Sequence, residues 1–222
     1  MTTIGNETII TFHGLGEPPA GASAGERRVW VPAAWLEALV AAAPPQGLSF
    51  AFDDGNASDT ELALPILTKH GLSARFFILA GRIGRPGYLD GEDLGRLRDA
   101  AMRIGSHGLN HCDWRLAGAQ ELRAETVDAR SALAEVIGEP ITEAACPFGS
   151  YDRRVLRALR DAGFERVFTG DGAPGRAGAK VMPRVSISRE RPLEYWVALA
   201  AGAGTAGVGR VTRAKRLLKR LR

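Results

Sequence analysis

The chain has 222 residues, of which 45% are hydrophobic and 24% charged, so its composition is that of a globular protein with room for one well-filled domain. The net charge of +4 has a local origin, because residues 210–222 contain seven Lys or Arg and no acid, which leaves −3 on the remainder. This balance argues against a nucleic-acid partner, which would need a basic surface over the whole domain. We therefore divide the chain into one domain, residues 1–209, and a basic tail, residues 210–222.

The cysteine content and the N-terminal residues bear on location. Cys112 and Cys146 are too few for a disulfide framework, although a single bridge between them stays open. The first residues contain no basic segment followed by an apolar core. Both features fit a reducing compartment, so we expect a cytoplasmic protein. The tail has apolar residues at helical spacing among its cations, which predicts either an amphipathic helix at the inner face of a membrane or a solvated segment.

Strand and helix patterns alternate along the chain. The predicted strands are short apolar runs bounded by turn residues, at 8–12, 48–52, 74–80, 102–104, 143–147, 166–169 and 185–187. The predicted helices are longer and carry caps or one apolar face, at 32–43, 60–70, 90–101, 119–138, 153–162 and from 192 onward. A loop rich in Pro, Gly and Ser is expected at 17–25. This alternation predicts a parallel sheet, open or closed, with its functional residues at the carboxyl ends of the strands.

Two adjacent carboxylates end the strand at 48–52. Asp53 and Asp54 are followed by Gly55, which permits a sharp turn. Because neighbouring strand residues point to opposite faces, the two side chains cannot both enter one core. Buried carboxylates without a partner are strongly unfavourable, so a counter-charge is required unless the pair only caps a turn.

Two histidines follow the end of a later strand, in residues 106–111. His107 and His111 are four residues apart, which on a helical turn places their Cβ atoms roughly 6 Å apart. Imidazoles at that separation can share an ion about 2.0–2.1 Å from each nitrogen. Together with one carboxylate they would supply three ligands and leave a position open for water, which is the pattern of catalytic metal sites. The other carboxylate is then available as the base for that water.

Three segments resemble, in order and spacing, the first three motifs of the polysaccharide deacetylases, carbohydrate esterase family four. They are residues 51–55, 106–111 and 146–152. The resemblance extends over about residues 49–169, and residues 12–14 resemble the opening strand of the branch that acts on exopolysaccharides. It implies an irregular, partly open, seven-stranded (β/α) barrel of TIM-like type. The implied activity is metal-dependent removal of N-acetyl, less often O-acetyl, groups from an amino-sugar polysaccharide or glycolipid precursor.

The resemblance also implies roles for individual residues. Asp53 is the implied catalytic base, and Asp54, His107 and His111 are the implied ligands of Zn²⁺ or of another divalent ion such as Co²⁺ or Ni²⁺. The implied oxyanion and substrate-binding residues are Pro147, Phe148, Gly149 and Tyr151. Among these, Phe148 would offer its backbone N–H to the oxyanion. Apart from the resemblance, we expect Trp114 and Tyr151 each either to line a sugar groove or to pack at its rim.

Two departures from the family pattern matter. Ala145 stands where the family often has an arginine that orients the base, and no histidine follows His111, so the family's Leu-x-His general acid is absent. We expect Arg184 to reach the base instead, and His13 to donate a proton to the leaving amine unless it is only a loop residue. The rival interpretations are a hydrolase of another small amide and a carbohydrate-binding protein whose deacetylase site has degenerated.

Overall fold

A nearly closed barrel of parallel strands forms the centre of the protein in the computed structural model, which describes residues 5–43 and 46–202. The strands are β1 (Asn6–Phe12), β2 (Gly14–Leu15), β3 (Trp30–Val31), β4 (Leu48–Asp54), β5 (Arg75–Ile78), β6 (Arg103–Ser106), β7 (Glu143–Ala145), β8 (Arg166–Thr169), β9 (Gly175–Arg176), β10 (Val181–Pro183) and β11 (Val185–Ser186). The barrel order is β10-β8-β7-β6-β5-β4-β1-β11. Strand β9 pairs antiparallel with β1, and β2 pairs with β3.

The last strand segments of the barrel, β10 and β11, pair with different neighbouring strands. Only Arg184 separates β10 from β11, yet β10 pairs with β8 and β11 pairs with β1, at the opposite end of the strand order. The eight paired segments are therefore seven passes of the chain. This confirms the (β/α) barrel, and it shows that the seventh strand is split at the residue whose side chain enters the site.

The helices pack around this barrel. They are α1 (Ala24–Val29), α2 (Ala33–Ala42), α3 (Leu64–Lys69), α4 (Gly91–Asp99), α5 (Ala119–Arg123), α6 (Ala129–Ile137), α7 (Arg153–Asp161) and α8 (Leu193–Ala200). Wide π-helical turns precede α3 and α6, at Asp59–Ala63 and Ala124–Asp128. Helix α1 was not predicted, and its first residues lie within the segment 17–25 that was expected to be a loop. It begins with a reciprocal cap between Ser23 and Glu26.

Alternate residues of each strand point into the barrel. Together these side chains form three layers in the barrel interior. At the amino ends of the strands, Arg75 and Arg166 both bind the carboxylate of Glu143, each at 3.2 Å. The middle layer is apolar and consists of Ile9, Ala51, Phe77, Ala145, Phe168 and Met182. Above it, at the carboxyl ends, lie the polar side chains of the candidate site. The apolar layer therefore separates two groups of buried charges.

Trp114 and Tyr151 belong to the core between the barrel and its helices, where both side chains are fully buried. The Trp114 indole N–H donates to Glu125, and the Tyr151 hydroxyl donates to Asp171. This burial corrects the prediction that the two rings line a sugar groove. Each side chain has an apolar body and one polar atom, which also suits a buried ring with a single hydrogen-bond partner.

The structure bears on the cysteines and on membrane-spanning helices, but not on the C-terminal tail. Cys112 and Cys146 are not joined by a disulfide, so the bridge that the sequence left open is not formed. Within the residues that the structure describes, no helix is long and apolar enough to cross a membrane. The helix predicted in the tail, residues 210–222, lies outside the described residues.

Candidate metal centre and active site

Strand β4 ends by turning two neighbouring carboxylates toward the same cleft. Asp53 continues the alternation of the strand and points into the barrel, where its exposed fraction is 2%. Asp54 has φ = 78° and Gly55 has φ = 70°, so the chain leaves the strand in left-handed conformation. Such a φ is strained for a residue other than glycine, by roughly 1–3 kcal/mol. The strained turn brings Asp54 back beside Asp53 instead of onto the opposite face.

The two histidines converge through an irregular loop after β6. His107 is buried, and its Nδ1 lies 2.8 Å from the Ala145 carbonyl oxygen of the neighbouring strand β7. Since that contact requires a proton on Nδ1, the Nε2 atom is left as an acceptor toward the cleft. Positive φ angles at Gly108 (92°) and His111 (61°) replace the expected helical turn, so the predicted convergence is confirmed while the predicted local structure is wrong.

The three predicted metal ligands meet at one point. One ligand atom from each of Asp54, His107 and His111 lies within 4.8 Å of the others. The Oδ1 atom of Asp54 is 3.7 Å from His107 Nε2 and 3.5 Å from His111 Nε2. This oxygen is buried and has no hydrogen-bond partner among the residues that the structure describes, which is an unfavourable state for a carboxylate. Two imidazoles and one carboxylate are the donor set of a catalytic zinc-type site, so the residues present fit a divalent cation.

The electrostatics of this cluster also favour a cation. Burial raises the pKa of Asp54 to about 6, and burial lowers the pKa of His107 to about 3. Burial likewise lowers the pKa of His111 below its ordinary value. Near neutral pH the cluster therefore contains two neutral imidazoles and a poorly solvated carboxylate. A divalent cation would stabilise all three in the states that ligands require.

Asp53 is held as a carboxylate by Arg184. Two guanidinium nitrogens of Arg184 donate to the two oxygens of Asp53, at 2.5 and 2.8 Å. Burial by itself would raise the pKa of Asp53, but the charge of Arg184 and its hydrogen bonds hold that pKa well below its usual range. The predicted contact between Arg184 and Asp53 is confirmed. The guanidinium also lies 5.0 Å above the ring of Phe77, so the apolar layer supports it from below.

His13 lies beside Asp53, in the short link between β1 and β2. Its Nε2 atom is 4.0 Å from Asp53 Oδ2, which is beyond hydrogen-bond length. Its Nδ1 atom is buried without a hydrogen-bond partner, while its backbone carbonyl accepts from the side chain of Asn56 at 2.5 Å. The backbone of His13 is thus fixed at the cleft, and within residues 5–43 and 46–202 no hydrogen bond restrains its ring.

The turn Pro147–Gly149 forms another edge of the cleft. Phe148 has φ = 57°, and its ring is 69% exposed and packs 4.5 Å from the ring of His111. The Gly149 amide is already bonded to the Cys146 carbonyl at 2.9 Å, which makes it unavailable to a substrate. Gly149 has φ = 61°, and a Cβ there would lie 2.5 Å from the backbone of Gly170. The turn therefore depends on that glycine.

These groups line one open cleft of about 520 Å³ at the carboxyl ends of the strands. One side consists of His13, Asp53, Asp54, His111, Phe148, Gly149, Gly170, Arg184 and Ser186. The facing side comes from α1 and the residue that caps it, namely Ser23, Gly25, Glu26, Arg28 and Val29. Because α1 was not predicted, the sequence did not reveal this wall.

Two further acids near the site were missed. Asp59 is buried, and burial followed by the charge of Asp54 raises its pKa well above the ordinary value. Glu125 is buried in the π-helical turn before α6. The helical spacing of apolar residues over 119–138 predicts Val127 on the buried face, but Val127 is only partly buried. A wide turn changes which residues of a helix face inward, and helical periodicity does not reveal it.

Comparisons with known proteins agree with this geometry. Residues 41–167 match the family Polysaccharide deacetylase. The chain is 27% identical over 139 residues to YxkH of Bacillus subtilis (strain 168), covering 62% of this chain and 50% of that protein. It is also 27% identical over 139 residues to a chitin deacetylase of Pestalotiopsis sp, covering 63% and 46% of the two chains. The chain thus spans about half the length of these curated relatives.

A solved structure shares the fold. The Streptococcus pyogenes deacetylase PplD, determined in complex with acetate, superposes with a TM-score of 0.75 at 17% identity. The superposition covers 86% of this chain and 96% of that one. At this identity the likeness establishes the barrel alone. The placement of the candidate site therefore depends on the distances, burial and charges described above.

Proposed function

Because the chain belongs to the polysaccharide deacetylase family, we propose that it is a metal-dependent hydrolase that removes acetyl groups from an N-acetylated glycan or glycolipid precursor. The observation that carries the proposal is the convergence of Asp54, His107 and His111 within 4.8 Å, beside the ionised Asp53. Zn²⁺ is the ion we propose, since a site of two imidazoles, one carboxylate and an open position is typical of catalytic zinc. The chitin deacetylase relative supports an amide-linked acetyl group as the target.

The chain's own residues provide the proton transfers and the orientation. When bound by the three ligands, a divalent ion supplies Lewis acidity that activates water and polarises the acetyl carbonyl. Asp53 accepts the proton of the attacking water, and Arg184 keeps Asp53 ionised and correctly oriented for that step. The N–H of Phe148 donates to the oxyanion that develops on the acetyl oxygen. The exposed ring of Phe148 offers a surface for the sugar.

Acetate release is the direct test of this activity. Purified protein loaded with Zn²⁺ is expected to release acetate from N-acetylglucosamine oligomers, to stop after dialysis against a chelator, and to recover when Zn²⁺ is restored. Release that persisted unchanged without metal would contradict the metal-dependent mechanism. Metal binding without acetate release from any N-acetylated glycan would instead favour the carbohydrate-binding protein. Release from small amides alone would favour the other hydrolase.

His13 is proposed as the general acid that protonates the leaving amine. His13→Gln is expected to lower acetate release from N-acetylglucosamine oligomers by about 10²-fold, at the lower end of the usual contribution of a general acid. Hydrolysis of 4-nitrophenyl acetate by the same variant is expected to change little, because nitrophenolate leaves without a proton. The exchange His70→Gln, at an exposed histidine outside the cleft, serves as the control. An equal loss on both substrates would show that His13 does not act as the acid.

A further inference from the structure

Glu125 binds the loop that carries both histidine ligands. Its side chain is buried, with an exposed fraction of 1%. One carboxylate oxygen accepts the backbone N–H of Leu109 at 2.8 Å, and the other accepts the backbone N–H of Asn110 at 2.9 Å. The indole N–H of Trp114 donates to the first oxygen at 3.3 Å. Three N–H donors from the segment around His111 thus converge on one carboxylate, and none of them belongs to a metal ligand's side chain.

The wide turn before α6 explains how the carboxylate reaches this position. Glu125 is the second residue of the π-helical turn Ala124–Asp128, which interrupts an otherwise continuous helix from α5 to α6. A π turn inserts one residue into the helix and rotates the side chains that follow. Glu125 is thereby buried with its neighbour Thr126, whose hydroxyl donates to the Leu122 carbonyl at 2.7 Å.

The Glu125 carboxylate also lies close to the backbone of the loop at Gly108. A Cβ atom added at Gly108 would lie 2.3 Å from Oε2 of Glu125, and Gly108 has φ = 92°. The carboxylate therefore packs directly against the backbone that follows His107. Glu125 binds the backbone amides of Leu109 and Asn110. These two residues lie between Gly108 and His111, and His111 has φ = 61°. In the part of the chain that the structure describes, these two amides make no hydrogen bond of a helix or strand. They donate to the Glu125 carboxylate instead.

We propose that Glu125 is a positioning residue for metal binding, which holds residues 108–111 in the strained conformation that brings His111 to the side of His107. The inference depends on the proposed function, because it assumes that the two imidazoles bind one divalent ion. Its physical basis is that hydrogen bonds to an ionised, buried carboxylate are stronger than those between neutral groups. The left-handed conformation of His111 is unfavourable by itself and persists only where the surroundings enforce it.

Metal affinity and coordination geometry test the proposal without use of activity. In Glu125→Gln one carboxylate oxygen becomes an amide NH₂, which faces a backbone N–H and repels it. We expect Zn²⁺ affinity to fall at least about 10-fold, as for other outer partners of metal ligands. We also expect an altered visible spectrum of the Co²⁺-loaded protein, and a smaller rise in melting temperature on Zn²⁺ addition. Glu135→Gln, an exposed acid on α6, is the matched control and should behave like the unmodified protein.

A second variant disturbs the same contact from the loop side. Gly108→Ala leaves Glu125 unchanged but pushes its carboxylate away, so it is expected to weaken Zn²⁺ binding and alter the Co²⁺ spectrum in the same way. A lower melting temperature of the metal-free variants, with affinity and spectrum unchanged, would show that Glu125 has only a structural role and would overturn the proposal. Absence of metal binding in the unmodified protein would overturn the proposed function itself, and this inference with it.

Discussion

Asp53→Asn is expected to lower acetate release by about 10²- to 10⁴-fold while the metal content stays at that of the unmodified protein. Asparagine has nearly the same shape as aspartate but cannot accept the proton of the attacking water. The three proposed metal ligands are untouched by the exchange, so binding of the ion should survive. The measurements are kcat for acetate release and metal content by elemental analysis, with Asp161→Asn, at an exposed acid, as the control.

The Asp53 variant also leaves the buried guanidinium of Arg184 without its charged partner, which is destabilising. The double variant Asp53→Asn with Arg184→Gln removes that charge and should recover much of the lost stability. If Asp53 is the base, the double variant should be as inactive as the single one. Recovery of activity in the double variant, or nearly full activity in the single variant, would contradict the assignment.

His111→Gln is expected to abolish measurable acetate release at micromolar Zn²⁺. Its loss of metal affinity should exceed the roughly 10- to 100-fold effect of removing an outer partner, because a ligand itself is lost. His111 is partly exposed, so its replacement should affect folding much less than replacement of the buried His107. Zn²⁺ affinity is measured by titration calorimetry, and activity is measured across a series of Zn²⁺ concentrations.

The same exchange at His70 provides the control, since His70 is exposed and follows α3 outside the cleft. Partial recovery of His111→Gln at high Zn²⁺ would agree with the role of a ligand. Unchanged affinity in His111→Gln would exclude His111 from the metal site, whatever happened to activity.

The sequence predicted the site well where chemistry is encoded by neighbouring residues. Asp53 and Asp54 end an apolar strand, and His107 and His111 follow another, so parallel strands that meet at their carboxyl ends place all four residues at the same end of the barrel. The reach of Arg184 to the base was predicted from its position near the missing Leu-x-His motif. That reach depends on the split between β10 and β11, which no sequence pattern indicated.

The features that the sequence did not predict arise from tertiary contacts. The left-handed conformations of Asp54, His111 and Phe148 are stabilised by their surroundings, since residues of these types do not favour them intrinsically. Glu125 occupies an inward position only because a π turn precedes α6, and the helical period placed Val127 there instead. Tyr151 was expected to bind substrate, but its side chain is buried in the core. Hydrophobic periodicity predicts which residues of a regular helix or strand are buried. It does not predict the conformation of residues in turns, loops and π turns, where these positions lie.

Diffraction from crystals of the Zn²⁺-loaded protein, with data collected on both sides of the zinc absorption edge, tests the central claim most directly. We expect one strong anomalous peak at the carboxyl ends of the strands, about 2.0–2.2 Å from a carboxylate oxygen of Asp54 and from the Nε2 atoms of His107 and His111. Asp53 should lie beside the ion without binding it and should still pair with Arg184. A peak bound by other residues, or an Asp54 side chain directed away from both imidazoles, would contradict the proposed mechanism.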